Sequence, residues 1–332
     1  MKKAGLIDKS THYNVIKVLT MILVVFAHAG RMYTGDGVVT PINQSHLICS
    51  LTEYIYGFHM PLFLAASGMV YGLCIDDLGK YKEPLPFIKN KAVRLLIPYL
   101  FFGLAVVATT MVFFGFSDKS YLEYCIDGII LAKNCRHLWY ILVLFEIFLI
   151  CTLAKNALQK TFTIPIITLL LLVASYFSSE VTVVFHLGNL CNYAIYFYLG
   201  YLLNRYYEKV IKILKNPISM IIFLAASILL KDSEIWVLRL ILGLSGCAFA
   251  IGLTKYFPEF LTKTKLFIKA NKNGFGIYLF HPMIVYITFC FFGDKNINAI
   301  LLCLFVTAFA YILSWLLTVL FRKIRLGILI GE

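Results

Sequence analysis

Charge is scarce in this sequence. Of its 332 residues only 14% are Asp, Glu, Lys or Arg, whereas 61% are hydrophobic, against about 45–50% apolar in an ordinary soluble domain. The shortage excludes a soluble fold. With a mean hydropathy of +0.84, it predicts an all-α, polytopic membrane helix bundle occupying 1–332 as a single domain, with no separate soluble domain. Acidic residues are scarcer than basic ones, 17 against 30. In a soluble protein that excess would point to nucleic acid. Here the basic residues sit between apolar runs, so membrane lipids are the expected partner and nucleic acid is not. Metal and disulfide patterns are lacking too. The nine cysteines form no Cys-x-x-Cys and lie near no paired histidines, so no metal site is expected. Cys125 and Cys135 share one connection and either pair or stand as free thiols. No internal repeat is evident, which weakens a secondary-transporter reading.

Apolar windows long enough to cross a hydrocarbon core of about 30 Å number about ten. They fall near 13–33, 50–75, 92–116, 138–154, 162–179, 188–204, 217–231, 235–254, 274–292 and 299–321. If the N-terminus is cytoplasmic, alternate connections put most Lys and Arg on the inner side, including Lys2, Lys3, Lys9, Lys17, the group Lys80 to Arg94 and the group Lys255 to Lys272. The positive-inside rule therefore predicts an even number of spans with both termini cytoplasmic. Lys2, Lys3 and Ala27-His28-Ala29 mimic a signal peptide, but the polar lead is long and cleavage would reverse the later topology. Region 120–135 is a candidate interfacial helix.

The first span carries the most informative pattern. Steps of three and four place Asn14, Lys17, Met21, Val24, His28 and Arg31 on one helical stripe. Lys17 and His28 are separated by about 16 Å along the axis and about 20° around it. This puts a cation at the cytoplasmic mouth and a histidine past the midplane. Ionisable groups at membrane depth usually face a bundle interior or cavity and mark function; a lone histidine can also simply hydrogen-bond a neighbouring helix. The second span adds Glu53, His59, Pro61 and Ser67-Gly68, with Pro61 expected to kink the helix beside His59. Lys91 and Arg94, one turn apart at the mouth of the third span, suit a grip on phosphate oxygens; topology signals snorkelling to lipid phosphates are the ordinary reading. His137 and Trp139 precede the fourth span, where aromatics usually form an interfacial belt. Glu146 lies deeper and needs a partner or a proton. The polar sixth span, Asn189 to Gly200, and Arg239 either line a cavity or bond neighbouring helices. Tyr278 and His281 share a face next to Pro282.

Taken in order, these stretches resemble acyltransferase family 3, membrane enzymes that attach acetyl or other short acyl groups to surface glycans and lipids. Asn14-Val15-Ile16-Lys17 followed by His28 matches the spacing of the family's Asp-x-Leu-Arg and His. Phe58-His59-Met60-Pro61-Leu62-Phe63 with Ser67-Gly68, Lys91-Ala92-Val93-Arg94, His137-Leu138-Trp139-Tyr140, Phe197-Tyr198-Leu199-Gly200 and Ile277-Tyr278-Leu279-Phe280-His281-Pro282 resemble its later landmarks. The chain departs from the pattern at Asn14, Lys17 and Lys91; the two lysines keep charge but lose the bidentate fork of arginine.

The resemblance implies a bacterial cytoplasmic-membrane O-acyltransferase with no tightly bound cofactor. It would take acetyl-CoA, or another acyl-CoA such as succinyl-CoA, as donor, and a glycan or lipid-linked saccharide as acceptor. His28 is then the candidate base and Glu53 the candidate carboxylate to orient it. Lys17, Lys91 and Arg94 are the candidates for the donor phosphates. Asn14, Arg31, His59, Ser67, His137, Trp139, Tyr278 and His281 would support substrate or structure. Two other readings compete: a transporter or flippase for a lipid-linked saccharide, and a noncatalytic partner in glycan export.

Overall fold

The computed structural model describes residues 2–81 and 83–332. Lys82 and the side chains of Lys2 and Lys3, part of the inner-side charge pattern, lie outside the described residues. Among the described residues the chain is helix and loop with no strand. The principal helices are α1 (Lys2–Gly30), α2 (His46–Tyr56), α3 (His59–Gly72), α4 (Pro84–Phe101), α5 (Trp139–Leu153), α6 (Ile164–Tyr176), α7 (Leu187–Arg205), α8 (Tyr207–Leu214), α9 (Pro217–Leu229), α10 (Trp236–Thr254), α11 (Lys265–Phe292) and α12 (Ala299–Lys323).

Among the described residues, seven stretches are long and apolar enough to cross a membrane: Gly5–Tyr33, His46–Asp77, Pro84–Phe113, Arg136–Leu153, Trp236–Thr254, Lys265–Phe292 and Ala299–Lys323. An eighth is obtained if α8 and α9, bent by 73°, form one broken span. This is a membrane protein, with seven or eight such helices where hydropathy windows predict about ten. The difference has two sources. The 13 residues of α6 reach only about 20 Å at 1.5 Å per residue. The polar residues of α7, Asn189 and Asn192 among them, dilute its apolar character.

The chain forms two compact units. The first comprises Met1–Gly79 and Tyr196–Thr318. Its core gathers Tyr13, Ile16, Ala27, Phe58, Leu62, Met69, Tyr207 and Ile251, each at most 4% exposed, and α1 packs against α3 and α11. Two glycines set the closest helix crossing. A Cβ on Gly68 would collide with the carbonyl oxygen of Phe197, and one on Gly200 with that of Ala65. The Ser67-Gly68 and Leu199-Gly200 landmarks are thus explained by backbone approach, the ordinary use of small residues between membrane helices.

The expected break beside His59 is present. It lies at Gly57 and Phe58, the i−4 and i−3 positions of Pro61, where a proline removes a hydrogen bond and crowds a carbonyl. The Ile55 carbonyl accepts instead from Phe58 N at 3.1 Å and from the His59 ring at 3.0 Å.

The second unit comprises Lys80–Ile195 and Val319–Glu332. Within it α4 packs against α5, with Phe87 edge-on to Phe148 at 5.6 Å, and Tyr99 donates to Ile129 O at 2.6 Å. The turn Gly327–Ile330 lies on α4. The connection 120–135 is helical over Tyr121–Glu123 and Tyr124–Ile130, and Cys125 and Cys135 are both buried free thiols.

Candidate active site: three histidines from three segments

In the first unit α1, α3 and α11 each deliver one histidine. His28 is half-buried near the end of α1. Its ring meets that of His281 edge-on, with centroids 5.0 Å apart at 68°. His59 and His281 are sealed, at 2% and 0% exposure. His59 and Arg31 are the other ionisable neighbours of His28.

Local chemistry fixes two of these rings. His59 Nδ1 lies 3.0 Å from Ile55 O, and His281 Nδ1 lies 3.0 Å from Ile277 O. A carbonyl oxygen only accepts, so in both rings Nδ1 carries the hydrogen. Each has thereby spent a nitrogen on its own helix. Although three histidines converge, no group of three or more His, Cys, Asp or Glu among the described residues is arranged to hold a metal ion.

The surroundings of His28 are aromatic and basic. One turn on, the Arg31 guanidinium sits 5.1 Å from the Tyr56 ring centroid, a cation–π arrangement, and Arg31 Nε donates to Asp36 O at 3.4 Å. Tyr56 in turn meets His59 edge-on at 4.7 Å. Tyr278 lies 6.2 Å from His281 and stacks on Phe63 at 5.9 Å. A Cβ on Gly30 would collide with Thr52 Oγ1, so α1 and α2 approach closely beside His28. His28, Arg31, His59, Tyr278 and His281, read from separate stretches of sequence, therefore belong to one cluster.

The comparisons with known proteins bear on this cluster directly. The acyltransferase 3 family model, an acyltransferase domain, matches residues 12–319. The chain belongs to the acyltransferase 3 family. No curated protein and no solved structure matches it.

Other expected residues of this acyltransferase lie apart from the three histidines. Glu53 faces Lys231 at 3.8 Å and accepts from Cys49 Sγ at 3.4 Å; it is not among the groups acting on His28. Ser67 Oγ returns to Phe63 O at 3.0 Å. Lys17 and Asn14 are half-buried on α1, and Cys74 acts on Lys17. Arg239 pairs with Glu234 and donates to Ser233 O at 3.0 Å, which places it in a local loop contact.

In the second unit Lys91 Nζ lies over the rings of Phe148, Tyr81 and Phe87, nearest to Phe148 at 4.4 Å. Arg94 Nε donates to Gly331 O at 2.9 Å. His137 is buried at 5% exposure, and Trp139 packs against Tyr193 at 5.1 Å.

Sequence reasoning missed Tyr56 as the partner of Arg31, and it missed His12. His12 is 4% exposed and joins Tyr207 Oη at 2.9 Å and Thr254 Oγ1 at 2.8 Å. Lys255 pairs with Asp8 at 3.0 Å beside it. The available signal was a second histidine in the same apolar helix; its partners, about 190 to 240 positions away, had no local trace.

Proposed function

We propose that the protein is an O-acyltransferase of the bacterial cytoplasmic membrane. It moves an acetyl or other short acyl group from acyl-CoA to a hydroxyl of a surface polysaccharide or lipid-linked glycan. Ten spans with both termini cytoplasmic belong to the same reading. The observation that carries the assignment of the base is the difference among the histidines: His28 alone is half-buried, while His59 and His281 are sealed and hold their Nδ1 atoms on carbonyls.

The chemistry follows from that difference. The neutral His28 imidazole takes the proton of the acceptor hydroxyl as its oxygen attacks the thioester carbonyl. The tetrahedral oxyanion gains from the positive charge of Arg31 one turn away. Collapse breaks the C–S bond, and the leaving thiolate takes the proton back from the imidazolium. His281, packed edge-on against His28, orients the ring in place of the carboxylate expected at Glu53. Lys17 in the first unit, and by themselves Lys91 and the two Nη groups of Arg94 in the second, are the candidate donors for the CoA phosphates.

The test uses membranes incubated with radiolabelled acetyl-CoA, followed by isolation of glycan. Label should enter glycan with the parent protein and fall by a factor on the order of 10²–10⁴ in His28→Ala, the usual contribution of a general base. Normal transfer by an inserted His28→Ala protein overturns the assignment of the base. Saccharide movement without any acyl transfer would mark a transporter instead.

A further inference from the structure

In the second unit two loops carry an unusual concentration of strained backbone. Six non-glycine residues among those described have positive φ; four of them, Ala132 (51°), Arg136 (53°), Phe185 (54°) and His186 (56°), fall in the loops preceding α5 and α7. Phe185 N donates to Leu131 O at 3.0 Å, tying the loops together. Such conformations are costly for residues other than glycine and persist where the surroundings impose them.

The strain accompanies buried polar atoms left without partners among the described residues. His186 Nδ1 accepts from Asn189 Nδ2 at 3.2 Å, so the neutral ring carries its hydrogen on Nε2. That Nε2 is buried without a hydrogen-bond partner among the described residues, and so is Arg136 Nε. Buried donors left unmade are costly, and a ligand that accepts from both would remove the cost. Beside them the half-buried Trp139 ring lies 6.4 Å from His186 and 5.1 Å from Tyr193. Two turns further along α5, Glu146 Oε2 is a buried acceptor, also without a partner among the described residues.

We infer that these joined loops, with Trp139, Tyr193, Arg136, His186, Asn189 and Glu146, form a saccharide-binding site. A pyranose suits both halves of the lining: its C–H face packs on an indole, and its hydroxyls accept from Arg136 and His186 and donate to a carboxylate. An inorganic phosphate would satisfy the donors but leave the Trp139 and Tyr193 rings without an apolar face to pack on. This deepens the proposed function, because it rests on a saccharide acceptor and assigns where that acceptor is recognised.

The test places the full protein in lipid nanodiscs, free of glycoside detergents. Methyl β-D-glucopyranoside, methyl β-D-galactopyranoside and N-acetylglucosamine serve as probes in saturation-transfer NMR, with inorganic phosphate as the competing probe. At least one sugar should bind saturably, and Trp139→Leu should weaken it by about tenfold or more. His186→Asn should also weaken it about tenfold, with the thermal midpoint held, because Asn tolerates the left-handed backbone. His28→Ala should bind sugar like the parent while losing transfer.

Absence of sugar binding, equal binding by Trp139→Leu and His186→Asn, or binding of phosphate alone overturns the inference. Acyl transfer without Trp139-dependent sugar binding sinks this site and leaves the acyltransferase reading standing. Trp139-dependent binding without transfer from acetyl-CoA does the reverse.

Discussion

The two units organise polar groups in opposite ways. In the first unit, long helices carry His28, His59 and His281 together, and glycines allow the backbones to close on one another. In the second, short loops hold Arg136 and His186 through left-handed backbone, and their polar atoms Nε and Nε2 are buried without partners among the described residues. A regular helix projects its chemistry at fixed intervals, so spacing reveals it. A strained loop does so only after folding.

The largest effect that would break this contrast lies at the helix crossing. Gly200→Ala puts a Cβ onto the Ala65 carbonyl, and neither backbone can move without shifting its helix. Overpacking of this kind costs about 1–3 kcal/mol and sometimes more, so the variant should show a clearly lower thermal midpoint and reduced yield. An unchanged midpoint would mean that the first unit is as adaptable as a loop.

His281→Phe is expected to act next, on rate more than on fold. It keeps an aromatic ring beside His28 but removes the bond to Ile277 O. If His281 positions the base, kcat should fall about tenfold while KM for the acyl donor stays within about twofold, the pattern of an interaction used in the transition state. A change in KM alone would make His281 a binding or purely structural group. In the second unit, Arg94→Lys removes a fixed bond to Gly331 O and should cost about 1 kcal/mol of stability, read in thermal unfolding. If it instead raises KM for acyl-CoA with stability unchanged, phosphate binding is its main role.

Much of the first unit was legible in sequence. The stripe from Asn14 to Arg31 follows from helical spacing, and the Tyr278 and His281 pairing from a step of three. The same arithmetic found Glu53 but not its neighbours, because a helix period fixes the face of a side chain and leaves its partner open. Pro61 was legible for a related reason. A proline in an apolar run disrupts the helix at the residue four before it, and the break falls at Gly57 and Phe58. His186 carried no signal, since nothing in Val184-Phe185-His186 announces positive φ. The short α6 and polar α7 show what hydropathy windows leave out: they register composition without measuring where a helix stops.

The smallest effect belongs to a loop contact that contributes charge without strain. Asp127 receives Lys119 Nζ at 2.7 Å and Lys133 Nζ at 3.2 Å, and these two ammonium groups hold its carboxyl below the usual range. A depressed folded-state pKa contributes stability above the unfolded value, about 3.9 for Asp, and loses it as pH falls through the folded value. The pair is exposed and screened by salt, so the contribution is slight. Asp127→Asn should therefore unfold slightly earlier than the parent near pH 7 in low salt. The gap should close in about 1 M NaCl, where the Debye length is about 3 Å, and also close as pH drops below the carboxylate range. A gap that survives both conditions would show that Asp127 acts through geometry, as the strained residues of the neighbouring loop do, rather than through charge.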